Sequence, residues 1–239
     1  MATIGHGYGS EWHLQRWLGY HRKRLNTLIK EQTTLEVADW LDFGFQARAS
    51  DQSKFPTLDA EIEHLDFLPE GHTAKLAWQH TWPTARGRQA RGPCWDAVAK
   101  LEDGSWLLVE AKAHLGELKS PGSKATPDSL KKIAALMDEA KRAYGVAPDI
   151  SWIDKYYQQA NRMAVLWFLN EKHQESAYLL NICFTGDQFP ECRKVKCPVD
   201  KTGWAEGIHK MKNALGLSGT SQLESNLRYL FLPTTECQS

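Results

Sequence analysis

Asp96, Glu110 and Lys112 are spaced so that a β-hairpin brings them together. The segment reads Cys94-Trp95-Asp96-Ala97-Val98-Ala99-Lys100-Leu101, then Glu102-Asp103-Gly104, then Ser105-Trp106-Leu107-Leu108-Val109-Glu110-Ala111-Lys112. Two apolar runs flank a three-residue loop in which Gly104 takes the left-handed position. That loop sets Leu101 against Ser105, Lys100 against Trp106 and Val98 against Leu108. Asp96 then falls opposite Glu110. Lys112, two residues further on, projects from the same face. A two-residue loop would set Asp96 against Ala111 instead, so the register is a testable part of the reading.

Carboxylates directly opposed across a sheet repel each other. A divalent cation removes the conflict, and an oxygen-only donor pair suits Mg²⁺, which keeps several waters and takes one or two protein carboxylates; Mn²⁺ is the alternative ion. A neighbouring lysine can orient or deprotonate a metal-bound water, or stabilise developing negative charge. These are the parts of phosphodiester hydrolysis. The competing reading is a strand-ending aspartate beside a surface Glu-Lys ion pair, since short spacings match often by chance. The run Leu107-Leu108-Val109 weighs against it. A strand covered on both faces that ends in Glu and Lys is better explained by a site than by solvation.

The 239 residues suffice for a substantial core, and one α/β domain over 1–239 is the natural expectation. Lys+Arg and Asp+Glu both number 29. With no net field, any binding of nucleic acid must rest on local basic patches. No apolar run approaches the ~18 residues of a membrane span, and the N-terminus lacks a basic-then-apolar leader pattern. A cytoplasmic protein is expected. Five cysteines at irregular spacing suggest reduced thiols, and Cys192-x(4)-Cys197 with His209 is a poor zinc signature. The ten tryptophans are scattered, as core residues would be.

Stepping outward from the hairpin, Leu14, Trp17, Leu18, Leu25, Leu28 and Ile29 predict a helix from Ser10 to Lys30. A second helix is expected over Leu35–Phe45, and Thr73–Trp82 reads as the first strand. After the hairpin come a loop from His114 to Thr126, a helix from Pro127 to Tyr144 and another over Trp152–Lys172. Ala177–Phe184 predicts a fourth strand, Trp204–Leu215 a helix and Leu227–Leu232 a late edge strand.

The order helix, strand, strand, strand, helix, strand around Asp…Glu-x-Lys resembles the PD-(D/E)xK nuclease superfamily. The resemblance covers residues 73–185, with helix 10–30 packed on that core. It implies a restriction-endonuclease-like fold: a mixed central sheet flanked by helices, with an αβββαβ core. It further implies a bound Mg²⁺ or Mn²⁺ and cleavage of nucleic acid, DNA foremost. Asp96, Glu110 and Lys112 match the motif's aspartate, second acid and lysine. Trp95 stands at the nominal proline, with Pro93 nearby. Members also add a glutamine from the helix after the motif strands, for which Gln158 is chosen. Asn161 and Arg162 share its face at i+3 and i+4. For an acid from the first helix Glu11 is chosen as a metal ligand, over Glu61 and Glu63; its ordinary role would be at the helix dipole. His114 and Glu117 follow at the cleft edge.

Arg86, Arg88 and Arg91 precede the Asp96 strand, where they can hold phosphates as nucleic-acid-binding residues; a solvated loop is the alternative. Lys119, Lys124, Lys131 and Lys132 offer a second track. A different class of function, a binding module without catalysis, uses the same fold. A hydrolase built on Cys94 has no Gly-x-Ser-x-Gly element to support it. DNA or RNA, strandedness, internal or terminal cutting and assembly as a homodimer stay open.

Overall fold

The computed structural model describes residues 7–41, 62–85, 88–89 and 92–235, with backbone only at 84–85 and 88–89. In chain order its elements are α1 (Ser10–Tyr20), α2 (Arg22–Thr33), β1 (Val37–Trp40), β2 (Ile62–Glu63), α3 (Thr73–Thr81), β3 (Thr84–Ala85) and β4 (Arg88–Gln89). There follow β5 (Cys94–Trp95), β6 (Ala97–Leu101), β7 (Trp106–Lys112), a 3-10 turn at Leu115–Leu118, α4 (Pro127–Ala143) and α5 (Tyr157–Trp167). β8 (Ala177–Thr185), α6 (Cys192–Val195), α7 (Lys201–Ala214) and β9 (Leu227–Pro233) complete the chain.

The hairpin has the register that its loop requires. Lys100 pairs with Trp106, Val98 with Leu108 and Ala97 with Val109. Leu101 N donates to Ser105 O at 2.9 Å, and Gly104 sits at φ 83°. Around it runs a five-stranded mixed sheet in the order β1-β6-β7-β8-β9. β6 runs antiparallel to both of its neighbours, β1 and β7, while β8 and β9 run parallel to β7. The parallel step needs a long crossover, and α4 and α5 lie within it.

Strand alternation divides the interior into two cores. Ala97, Ala99, Leu101, Leu107, Val109 and Ala111 pack with Leu14, Trp17, Leu18, Leu25 and Ile29 of α1 and α2. Val98 and Leu108 face the other way, onto the core that holds Met163 of α5, Leu136 of α4 and Trp204 of α7. Both faces of the sheet are covered, so Leu107, Leu108 and Val109 are all fully buried.

Several elements depart from the sequence reading. Thr73–Thr81 is a helix, not the first strand. Ala74, Trp78 and Trp82 recur every four residues and are all buried, and the His72 side chain caps the helix by accepting from Ala74 N at 3.2 Å. The expected helix at 35–45 is instead β1 over Val37–Trp40. Thr34 at φ 65° ends α2 and turns the chain onto β6. Residues 42–45 lie outside the described ones. Helix 10–30 is two helices that break at His21, and 152–172 becomes helical only at Tyr157 before closing in a π turn at Phe168–Lys172. The main sheet takes β1, β6, β7, β8 and β9 in chain order, but α3 and the short strands β2–β5 fall between β1 and β6. The other expected elements stand within a few residues, and β9 forms the far edge of the sheet.

The expectation of reduced cysteines fails at Cys192 and Cys197, which form a disulfide. The single turn of α6 brings their Cα atoms to 5.1 Å, inside bonding range. Cys94 and Cys183 are free and buried. Among the described residues no helix is long and apolar enough to cross a membrane.

Candidate active site

The β6–β7 ladder ends at Ala97–Val109, and Asp96 occupies the bend immediately beyond. Asp96 N donates to Val109 O at 3.0 Å. Its carboxylate Oδ2 accepts from Ala111 N at 2.7 Å, taking the place a partner-strand carbonyl would have had. Asp96 is thereby pinned beside Glu110 at the adjoining strand ends. Glu110 continues the alternation of Leu108 onto the α5 side of the sheet and is 2% exposed. Lys112 follows on that side.

Helix α5 supplies the opposing wall. Gln158 and Arg162, one turn apart, both point at β7. Lys112 Nζ donates to Glu110 Oε1 and, at 3.1 Å, to Gln158 Oε1. Arg162 Nη2 lies 2.5 Å from Glu110 Oε2 and donates to Cys94 O at 2.7 Å, while Nη1 donates to Gln158 O at 3.1 Å. Glu110 is therefore held between two cations, and Arg162 ties α5 to β5. Glu110, Lys112, Gln158 and Arg162, with Glu117, Leu118, Gln159 and Met211, line a narrow crevice with no room for a water molecule between them. Glu117 is fixed by the 3-10 turn: Oε2 accepts from Ala113 N at 2.5 Å and His114 N at 3.3 Å, and Oε1 from Ser10 Oγ at 3.2 Å.

Burial pushes the Asp96 carboxyl well above the usual carboxylate range, and the neighbouring Glu110 adds to it; Lys112, Arg162 and the Ala111 N–H pull the other way. For Lys112, burial alone favours the neutral amine. The Glu110 and Asp96 carboxylates outweigh it and hold the amine above its ordinary value, so Lys112 is a cation at neutral pH. The donor atoms are of the type a hard divalent ion takes, although both Glu110 oxygens are engaged by Lys112 and Arg162. Asp96 and Glu110 offer only oxygens from neighbouring strand ends, and Asp96 uses just one of its two oxygens on Ala111.

The structure thus gathers Asp96, Glu110, Lys112 and Gln158, and adds Arg162 as the direct partner of Glu110. The helical spacing showed Arg162 on the Gln158 face; which strand position it meets depends on how the crossover packs. Glu11 is not brought in, because α1 packs on the opposite face of the sheet. It is half-buried in the first turn and does not line the cleft, and Ser10 is the α1 residue that reaches Glu117. Glu63 is exposed in β2, paired with Cys94, and Glu61 lies outside the described residues. Arg86 and Arg91 also lie outside them. Arg88 is described only as backbone of β4, paired with β3. Lys124, Lys131 and Lys132 are exposed, Lys131 lying 4.0 Å from Asp128, whereas Lys119 lines a neighbouring groove. Cys94 contributes its carbonyl to the site, and its thiol donates to Gly92 O at 3.6 Å. Asp187, Cys192 and Cys197 place ligand-type atoms within 4.8 Å of one another, but the two sulfurs are bonded together.

No protein-family model, no curated protein and no solved structure matches the chain.

Proposed function

We propose that the chain is a metal-dependent nuclease of the PD-(D/E)xK type with a restriction-endonuclease-like fold, hydrolysing phosphodiester bonds, those of DNA foremost. The observation that carries this reading is the meeting of Asp96 and Glu110 at the ends of β6 and β7 with Lys112 on the same face. The β1-β6-β7-β8 order and the position of Gln158 against Lys112 add support. A cytoplasmic setting goes with this reading, and in it the Cys192–Cys197 bond faces a reducing thiol pool.

Bound at the Asp96–Glu110 pair, Mg²⁺ or Mn²⁺ would polarise a phosphoryl oxygen and make a bound water a better nucleophile. The chain's own groups do the rest. Asp96 is presented by the Ala111 N–H, so its free oxygen needs no reorganisation to act as a ligand. Lys112 brings a fixed positive charge to orient a water or to offset charge on the phosphate. Gln158 aims that amine. Arg162 is a positioning residue that holds the second oxygen of Glu110.

One observation favours the alternative, a binding module without catalysis: Lys112 and Arg162 by themselves neutralise Glu110. Cleavage separates the two readings. Single-stranded and duplex DNA and RNA, labelled and incubated with Mg²⁺ or Mn²⁺, should include at least one that is cut. Lys112→Ala should slow that cutting by about 10²–10³-fold, the scale of one lost transition-state donor, with an unchanged unfolding midpoint because Arg162 still covers Glu110. Full activity in Lys112→Ala removes that residue from the mechanism, and intact polymers in every condition favour the module.

A further inference from the structure

Leu118 separates the catalytic cleft from a second concavity of about 270 Å³. Lys119, Lys194, Lys196 and Lys210 stand around it, with Tyr156 and the single acid Glu206. In a chain with 29 basic and 29 acidic residues this is a local excess of positive charge. Glu206 is taken by Lys210, and Lys194 lies 3.6 Å from Glu191; these pairs are exposed and therefore weak. Lys119 and Lys196 are exposed on the rim.

The groove is built rather than incidental. Its near wall is the 3-10 turn Leu115–Leu118, which also carries Glu117. Helix α7 packs closely on that turn at Gly207, where a Cβ would come within 2.8 Å of Leu115 Cδ2 and 3.0 Å of Leu118 Cδ1. The far wall is the loop closed by Cys192–Cys197. Lys196, at φ 60°, donates its N–H to Cys192 O at 2.8 Å and accepts from Leu115 N at 3.0 Å. The hydrogen bond from Leu115 N to Lys196 O holds Lys194 and Lys196 across from Lys119, beside the cleft.

We infer that this groove seats the phosphodiester backbone of one nucleic-acid strand and leads it to the Asp96–Glu110–Lys112 cleft. That the strand is also the substrate rests on the nuclease reading; that it binds here does not. Lysine ammonium groups bind phosphates as point charges and confer no base preference. The groove's roughly 270 Å³ lies just under the ~300 Å³ lower end of sites for single small molecules, so it takes about one nucleotide of a single strand at a time and excludes a duplex. Tyr156, 8% exposed, closes the groove floor from the core side.

The test is anisotropy of labelled single-stranded DNA and RNA and of duplex DNA, measured in EDTA so that nothing is cut. Lys194→Glu/Lys196→Glu should weaken single-strand binding by about 10- to 100-fold at low salt, and make the slope of log affinity against log salt shallower by roughly 1.4, about 0.7 per lost phosphate contact. Lys23→Glu/Arg24→Glu on α2, both exposed, should leave binding unchanged. Wild-type affinity in the first variant, or an equal loss in the second, overturns the groove. Duplex binding as tight as single-strand binding overturns it as well. Loss of binding in the first variant only, with no cleavage by the wild type, keeps the groove and removes the nuclease; cleavage with groove-independent binding does the reverse.

Discussion

Asp96→Asn should make the cation-free protein more stable while lowering metal-dependent cleavage. Asparagine keeps an oxygen for Ala111 N–H, so the strand end retains its hydrogen bond. What it removes is a carboxylate that burial and Glu110 both disfavour. The sign follows from proton linkage. With its folded-state value raised, Asp96 binds more protons folded than unfolded, so stability is greatest below the unfolded value near ~3.9 and falls as pH rises through the raised folded one. Wild-type Tm should therefore drop relative to the variant across that window and stay lower above it. Mn²⁺ should raise the Tm of the wild type and leave the variant's unchanged, with cleavage lowered by about 10²–10³-fold in the variant. Such a group trades stability for activity, as functional sites often do. A variant less stable than wild type in EDTA at pH 8 would contradict the electrostatic picture of Asp96.

Arg162→Ala should have the largest effect on folding. Arg162 and Glu110 have side chains only 4% and 2% exposed, and removing one partner leaves the other's charge buried. The bonds to Cys94 O and Gln158 O go with it. Breaking a buried pair in this way costs about 3–5 kcal/mol, readable as a fall in urea midpoint. Arg162→Lys should recover only part, because an ammonium cannot span Glu110, Cys94 and Gln158 as the guanidinium does. Saturating Mg²⁺ should also recover part, since a divalent ion supplies the missing positive charge. A loss below about 1 kcal/mol would mean that Lys112 alone satisfies Glu110.

What the sequence disclosed follows from which forces act locally. The hairpin register was legible because Gly104 fixes the loop and a period of two fixes every pair after it. Gln158 was reached through the family resemblance, and helical spacing then set Arg162 on its face. Thr73–Trp82 misled because its tryptophans and threonines favour strands, while the every-fourth burial of Ala74, Trp78 and Trp82 appears only against a core. At β1 an irregularity between Val37 and Asp39 breaks the alternation that marks a strand. Glu11 depended on which face of the sheet α1 would cover, and Arg162 on the packing of a crossover of more than sixty residues. The Cys192–Cys197 bond depended on a single helical turn bringing two loop residues together. These are long-range or chain-reversal events, and local pattern does not encode them.

The paired carboxylates are tested most directly by titrating the protein with Mn²⁺ and following free ion by electron paramagnetic resonance. Wild-type protein should show one saturable site per chain, competed by Mg²⁺, and Asp96→Asn should lose it. Saturable binding that survives unchanged in Asp96→Asn, or none in the wild type up to millimolar ion, would contradict a metal-dependent site at Asp96 and Glu110.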